Sequence, residues 1–435
     1  MLKGTFRSLR SRNYRLWAGG AFVSNVGTWM QRTAQDWIVL AELTPHSASA
    51  VGVVMALQFG PSLLLLPLTG YATDRYDRRK LLIATQSAQA LLALALGVLT
   101  VAGAVQLWHV YVFALLLGCV TAFDAPARQT FVSELVSDSL LSNAVALNST
   151  SFNAARMVGP ALAGLLIAGI GTGWIFLINA TTFIAVLAAL ILLRVEDLHR
   201  KDRAAPKPGG MLEGIRYVRK HPELKTVLWM LFLIMTFGIN FPVFVSAMAV
   251  NVFHAASHEF GVLSSMLAVG SVTGALFAAG RDTPRASFLL ASAFVFGIGL
   301  AVAALMPTYA LFGIALVLVG FAAQTFNTTA NSSVQLWTEP AMRGRVMAIY
   351  MAIAMGCTPL GAPLVGWVAD RFGPRWSLAV GAVSGFAAAA VGILYLMRHR
   401  GLRIGFSAGG FRVRMDAPQA QRGRATVRAA DPGLP

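Results

Sequence analysis

The sequence predicts an all-α membrane protein with twelve transmembrane helices in two pseudo-symmetric six-helix bundles. Three observations support this prediction: the composition, the length of the apolar runs, and a repeat whose period is about half the chain. Hydrophobic residues make up 56% of the 435 residues and charged residues only 12%. A soluble domain has about a quarter of its residues charged, so the composition argues against an ordinary soluble protein.

Twelve apolar runs of roughly 20 residues are each long enough to cross a hydrocarbon core of ~30 Å. The runs are continuous rather than alternating, which excludes a membrane-spanning β-barrel. The predicted spans are 15–42, 50–72, 80–102, 107–127, 145–169, 173–194, 226–251, 260–280, 286–305, 308–331, 346–369 and 375–397.

A repeat relates the fourth and fifth spans to the tenth and eleventh. Five pairs of residues share an offset of 202 positions: Gly118 and Gly320, Gly159 and Gly361, Gly164 and Gly366, Gly171 and Gly373, and Trp174 and Trp376. A period near half the chain predicts two equivalent bundles rather than a solenoid of short units. Two membrane bundles of this kind are the architecture of secondary transporters.

The fifth and eleventh spans also carry a proline inside the repeated segment, Pro160 in one and Pro363 in the other. A proline removes a helix hydrogen bond and allows a bend, while the flanking small residues let another helix pack closely. We therefore predict that Gly159, Pro160, Gly164, Gly361, Pro363 and Gly366 are helix-packing or bend residues.

The net charge of +17 is arranged in alternate connections. Basic residues cluster before the first span, between spans 2 and 3, in the central segment and after residue 397, whereas the connections between spans 3 and 4, 5 and 6, and 9 and 10 have none. Short basic loops stay in the cytoplasm, so both termini are predicted to be inside. The predicted units are an N-terminal bundle at 1–194, a cytoplasmic linker at 195–225, a C-terminal bundle at 226–398 and a basic disordered tail at 399–435.

The connection between spans 2 and 3 carries a specific pattern: Gly70, Asp74, Arg75, Arg78 and Arg79. This spacing resembles the loop signature of the major facilitator superfamily, with Asp77 where that family usually has glycine. In the family this cluster latches the two halves on the cytoplasmic side. The alternative is that the basic residues only follow the positive-inside rule.

Other segments are similar to a narrower branch of this superfamily. The fifth-span segment at 159–164 resembles a pattern of its drug and metabolite exporters. The segments at 27–32, 122–129 and 141–148 resemble the secretion-effector branch that includes enterobactin exporters. The likeness spans 5–398. Asp370 and Arg371 repeat part of the loop signature, but the predicted topology places them on the outer face, so they are not expected to form a second cytoplasmic latch.

Ionisable side chains inside a span cost at least about 2.5 kcal/mol on insertion scales and mark functional candidates. Arg32 and Asp36 are four residues apart on span 1, Asp124 and Arg128 have the same spacing on span 4, and Arg156 lies near the middle of span 5. Proton coupling needs a group whose charge changes as its surroundings alternate. Asp36 and Asp124 are the proton-coupling candidates.

Asp36 is the first choice because its position suits access from the outer side, and Asp124 is expected to pair with Arg78 or Arg75. Two alternatives stay open. Asp36 and Arg32 could form a permanent ion pair that holds span 1 in register. Arg156 could meet an anionic substrate or only balance one of the two acids.

Polar and aromatic residues of several spans are predicted to line a largely apolar cavity: Trp29, Trp37, Asn240, Phe241, Gln324, Asn327 and Asn331. Such a lining suits amphipathic or aromatic compounds better than sugars, which need dense hydrogen bonding. His254 and His258 lie four apart but are better explained as loop residues than as metal ligands. No metal or cofactor is predicted.

The sequence has no nucleotide-binding loop and no nucleophile–base constellation, so neither direct ATP use nor enzymatic activity is predicted. The charge pattern alternates with membrane spans and is unlike a nucleic-acid-binding surface. We expect proton-coupled efflux of small amphipathic compounds, such as a siderophore-like metabolite or drugs, by a monomer in contact with membrane lipids. The alternatives are a non-transporting receptor of the same fold and a facilitator-type importer.

Overall fold

The computed structural model describes residues 6–65, 68–69, 72, 75–199, 211–279, 286–399, 402–407 and 410–415. Outside a short terminal hairpin these residues are almost entirely helical. The N-terminal half contains six long helices: α1 at Arg12–Trp37, which continues as a π-helix at Ile38–Glu42, α2 at Ala48–Leu64, α3 at Arg78–Val101, α4 at Leu107–Phe131, α5 at Asp138–Ile170 and α6 at Thr172–Leu192. Short 3₁₀ turns occupy Arg7–Arg10, Val132–Glu134 and Val195–Asp197.

The C-terminal half repeats this arrangement with two of its spans divided. Its helices are α8 at Pro222–Leu233, α9 at Phe241–Ala247, α10 at Ser257–Ala279, α11 at Ala286–Leu305, α12 at Tyr309–Trp337, α13 at Arg343–Gly356, α14 at Thr358–Phe372 and α15 at Pro374–His399. Helix α7 at Met211–Lys220 precedes them, and π-helical turns at Ile234–Gly238 and Met248–Val252 follow α8 and α9.

The two divisions correct the expectation of continuous seventh and eleventh spans. Span 7 is interrupted at Ile239 and Asn240, and Asn240 lies two residues before Pro242. Span 11 is interrupted at Cys357, two residues before Pro359. A proline has no backbone N–H, so it is tolerated in the first turn of a helix but interrupts a continuous one.

Ten helices of the described residues are long and apolar enough to cross a membrane, and Ala48–Leu64 is a shorter apolar helix. Helix α1 occupies the position of the first predicted span but carries Arg32 and Asp36. The fold is an all-α membrane fold of two bundles. That α1 and α2 also cross the membrane, which would give twelve crossings, stays a prediction.

Hydrogen bonds show that the chain start lies beside the ends of α4 and α6. Ser11 Oγ donates to Leu135 O at 3.0 Å, and Asn13 Nδ2 donates to Arg194 O at 2.9 Å. Because the helices cross the bundle in alternation, the turns at 43–47, 102–106 and 306–308 lie at the opposite end. We call that end of the bundle, opposite the chain termini, the distal end.

The predicted linker and tail both contain regular structure. Helix α7 lies within the predicted linker and is joined to α13 by an ion pair between Arg345 Nη1 and Glu213 Oε2 at 3.2 Å. The predicted disordered tail contains an antiparallel hairpin, β1 at Leu402–Ser407 and β2 at Gly410–Met415. The alternation of apolar and polar residues in both strands favours a hairpin.

Candidate functional site

A cavity of about 520 Å³ lies between the two halves. The N-terminal half contributes residues of α1, α2 and α5 to its wall, and the C-terminal half contributes residues of span 7, α10, α12 and span 11. Among the predicted residues, those on the wall are Trp29, Arg32, Asp36, Arg156, Phe241, Gln324, Asn327 and Asn331.

All the ionisable Asp, Arg, Lys and Glu residues of this wall belong to the N-terminal half: Arg32, Asp36 and Arg156. The guanidinium carbon of Arg32 lies 5.0 Å from the ring centroid of Trp29 and 5.5 Å from that of Phe59. The guanidinium carbon of Arg156 lies 6.0 Å from the Trp29 centroid. A cation over an aromatic face is attracted by the ring quadrupole, so Trp29 stabilises both arginines.

Asp36 has no hydrogen bond and no ion pair within 4.0 Å to any residue of the described ranges. The permanent Arg32–Asp36 ion pair, left open as an alternative, is therefore not formed at contact distance in this conformation, although the two charges still attract each other. Arg32 Nε is also buried without a hydrogen-bond partner. The charged part of the wall consequently keeps hydrogen-bonding capacity that the described residues do not use.

The C-terminal half supplies a neutral wall. Tyr350 Oη donates to Asn327 Oδ1 at 2.7 Å, and Gln335 Nε2 donates to Asn331 Oδ1. Apolar side chains of Met235, Phe241, Phe260 and Leu267 complete this side. Amide groups surrounded by apolar surface are the pattern of a site for ligands with a large apolar part.

Two predicted wall residues lie elsewhere. Asn240 is fully buried, and its Nδ2 donates to Thr236 O at 2.8 Å. It satisfies a carbonyl next to the interruption of span 7, so the prediction that it lines the cavity is wrong. Trp37 does not line the cavity and packs on Phe260, a residue of the wall, with 5.8 Å between the ring centroids. Its predicted place on the wall is therefore also wrong.

Asp124 lies outside the cavity in a cluster of hydrogen-bonded side chains. Its carboxylate accepts from Thr85 Oγ1 at 2.8 Å, from Gln86 Nε2 at 2.6 Å and from Arg128 Nε at 3.2 Å. Arg128 Nη1 donates further to Asn25 Oδ1 at 3.2 Å. The expected pairing of Asp124 with Arg78 or Arg75 is therefore wrong, because its own helix supplies a cation one turn away.

Arg78 and Arg79, two residues of the predicted latch, make contacts within the N-terminal half. Arg78 forms an ion pair with Glu134, and Arg79 Nε donates to Leu190 O at 2.6 Å at the end of α6. Asp77, the residue that departs from the family pattern, accepts from Lys80 N at 3.0 Å and caps α3. The described residues do not include Gly70, Asp74 or residues 280–282. Arg75 is described and has an interaction partner.

The repeated glycines make equivalent contacts in the two halves. A Cβ on Gly159 would meet Trp29 Cβ at 2.5 Å, and one on Gly361 would overlap Thr236 O, so each packs on the first span of its own half. A Cβ on Gly164 would lie 2.6 Å from Ser257 O, and one on Gly366 would lie 2.6 Å from Ala48 O.

These second glycines therefore pack on the second span of the opposite half. They form two seams at the distal end, α5 against α10 and α14 against α2. Gly171 and Gly373 end the two helices with φ of 84° and 104°, a conformation that favours glycine. The repeat in the sequence is thus a repeat of helix contacts.

The sequence does not distinguish some residues of the site from other residues of the spans. Tyr350, Gln58 and Met55 line the cavity, but each resembles many other span residues in sequence. Asp370 bonds across the halves, as described below. At the repeat offset of 202, the residue that corresponds to Asp370 is Ala168. This difference between the two repeats is the sequence signal that Asp370 is specific to one half.

A cavity enclosed by two pseudo-symmetric helical bundles defines a membrane transporter that works by alternating access. The chain matches the family described as transmembrane secretion effector over residues 3–402. It belongs to that family, within the major facilitator superfamily, and is a multi-pass secondary transporter of small molecules rather than an enzyme.

Several characterised relatives are exporters or efflux pumps. The chain is 29% identical over 361 residues to the staphyloferrin A transporter of Staphylococcus aureus, covering 81% of this chain and 88% of the relative. It is 29% identical over 370 residues to the multidrug efflux pump Tap of Mycolicibacterium fortuitum, with the same coverage of 81% and 88%. It is 25% identical to the enterobactin exporter EntS of Shigella flexneri, covering 82% and 85%.

Solved structures of other transporters share the fold. A bacterial homologue of the human lysosomal transporter Spinster, in an inward-facing and unoccupied conformation, superposes with a TM-score of 0.69 at 14% identity, covering 88% of this chain and 97% of that chain. A D-xylose–proton symporter has a TM-score of 0.65 at 13% identity, with the same coverage of 88% and 97%.

Proposed function

We propose that the chain is a proton-coupled exporter of small amphipathic compounds in the inner membrane, with both termini in the cytoplasm. The position of Asp36 carries this proposal: it is the acidic residue of the described cavity wall, and it has no ion-pair partner within 4.0 Å. A carboxylate free of fixed partners can take up and release a proton as its exposure changes, whereas one enclosed by donors stays ionised.

The orientation is supported by the charge pattern, because most of the basic connections lie at the end that carries the termini, whereas the distal end has Arg371 and Arg375 as its basic connection residues between spans 11 and 12. In this orientation the distal end faces outward. Because its two glycine-lined seams hold the halves together, we infer that substrate reaches the cavity from the cytoplasmic side. Substrate would enter there, and proton exchange at Asp36 would accompany the change of access.

The side chains that line the cavity support the proposed class of substrate. The amides and apolar side chains of the C-terminal half suit a compound with a large apolar part and a few polar groups. The named relatives include transporters of siderophores and efflux pumps for drugs. Arg32 and Arg156 would act as the charged neighbours of Asp36 and as hydrogen-bond donors to the substrate.

Everted membrane vesicles expressing the full chain test the proposal. After a proton gradient is imposed, addition of staphyloferrin A, enterobactin or a macrolide should dissipate part of it for at least one of the three compounds. Asp36→Asn should abolish this response, since the amide cannot exchange a proton. Asp197→Asn, at an exposed site, is the matched control and should respond as the parent does.

A response that survives in Asp36→Asn would contradict the assignment of Asp36. Absence of a response to all three compounds in well-expressed parent vesicles would contradict the proposed substrate class. Accumulation in right-side-out vesicles, with no movement in everted ones, would contradict the direction of transport.

A further inference from the structure

Outside the cavity, Asp370 in the last turn of α14 accepts three hydrogen bonds from the opposite half. Its Oδ1 accepts from Ala48 N at 2.6 Å, and its Oδ2 accepts from Ser49 N and from Ser47 Oγ, both at 2.9 Å. These donors belong to the first turn of α2, in the opposite half.

The first N–H groups of a helix have no partner within the helix and need an external acceptor. Ser47 Oγ accepts from Ala50 N at 3.3 Å, which satisfies one of them. Asp370 satisfies the preceding two. The beginning of α2 is therefore capped partly by its own half and partly by the other half. A carboxylate at a helix N-terminus is further favoured by the helix dipole.

The equivalent seam lacks this arrangement. At the repeat offset of 202, Asp370 corresponds to Ala168 in α5. The helix that α5 packs on, α10, begins with Ala256 N donating to Glu259 Oε2 at 2.7 Å, so its start is capped within its own half. At the same end, Asn251 Nδ2 in the π-helical turn that ends span 7 donates to His46 O, in the turn before α2, at 3.2 Å, which is another bond across the halves.

We propose that Asp370 is a gating residue of the transport cycle, whose carboxylate closes the distal end by capping α2 across the two halves. Its bonds exist only while α14 and α2 are in contact. When the distal end opens, two backbone N–H groups and a carboxylate must separate and be solvated instead. Asp370 therefore favours the state in which the cavity is closed at the distal end, whatever the substrate.

Replacing one acceptor at a helix N-cap changes an equilibrium by about two- to thirtyfold, the equivalent of about 0.5–2 kcal/mol. We expect Asp370→Asn to raise the ratio of distal-open to distal-closed molecules within this range. The amide keeps the size of the side chain but loses the charge and one acceptor. Ser47→Ala should shift the ratio in the same direction by less, because it removes only a hydroxyl.

The experiment measures the distance between spin labels at Ala104→Cys and Pro307→Cys, which are exposed in turns of opposite halves at the distal end. The background is the full chain with Cys119→Ser and Cys357→Ser, reconstituted in lipid nanodiscs without substrate or a proton gradient. In Asp370→Asn the longer distances should gain population. Arg371→Gln, an exposed neighbour, should leave the distribution unchanged.

An unchanged distribution in Asp370→Asn, or an equal shift in Arg371→Gln, would overturn the proposal. If Asp370→Asn does not give a monodisperse protein, Ser47→Ala decides: a distribution identical to the parent overturns it. The measurement needs neither substrate nor protons, so its result is independent of the proposed proton-coupled export.

Discussion

Two acid–base pairs in the N-terminal half have the same spacing along a helix but opposite surroundings. Asp124 accepts three side-chain hydrogen bonds, including one from Arg128, and lies away from the cavity. Asp36, one turn from Arg32, has no bond within the described residues and lies on the cavity wall. Satisfied intramembrane charges hold helices together, whereas unsatisfied ones at a cavity are available for function.

This comparison predicts a dissociation between stability and transport. Changes in the Asp124 cluster should lower the stability of the fold, and changes at Asp36 should alter transport with little effect on stability. The following variants test the comparison, in order of decreasing effect on the free energy of unfolding.

Arg128→Met should have the largest effect. It leaves Asp124 buried without its cation, and breaking a buried pair by removing one partner costs about 3–5 kcal/mol. Thermal unfolding of the purified protein in detergent should show a clear drop in Tm, with Arg371→Met as an exposed control. A Tm equal to that of the parent would show that the cluster is not a structural one.

Thr85→Val should have an intermediate effect. The substitution keeps the shape of the side chain but removes the hydroxyl that donates to Asp124 Oδ1 at 2.8 Å. A hydrogen bond to a charged group contributes about 1.5–3 kcal/mol. Thr181→Val, at an exposed position where the hydroxyl bonds only its own helix, is the matched control. Equal changes in Tm for the two variants would contradict the special role of the bond to Asp124.

Asp36→Asn should have the smallest effect on stability, within about 1 kcal/mol of the parent, because no hydrogen bond or ion pair of the described residues is lost. The same Tm measurement checks this expectation. A loss comparable with that of Arg128→Met would mean that Asp36 is a structural partner of Arg32 after all, and the comparison would fail.

Much of the fold could be predicted from two features of the sequence. The length of the apolar runs follows from the thickness of the membrane, and the repeat follows from the presence of two similar helical bundles. The repeated glycines at 159, 164, 361 and 366 even indicated where helices touch. The sequence marks the interruptions of spans 7 and 11 with Pro242 and Pro359, but the length of the apolar runs alone predicts continuous helices.

The site was less predictable because the orientation of a side chain depends on packing that the sequence does not display. Asn240 and Trp37 lie on cavity-lining spans but do not line the cavity themselves. Asp36 and Asp124 have the same local pattern, and only donors from other helices, Thr85 and Gln86 on α3, distinguish them. Asp370 was recognised as an acid outside the cytoplasmic latch, yet its bonds to α2 depend on the contact between the halves.

The proposed role of Asp36 is tested most directly in proteoliposomes, by comparing proton-driven accumulation of a transported compound with its exchange at equal proton concentration. We predict that Asp36→Asn loses accumulation but keeps exchange, because the fold and the alternation of access remain while the proton-carrying carboxylate is gone. Accumulation at the rate of the parent in Asp36→Asn would contradict this account.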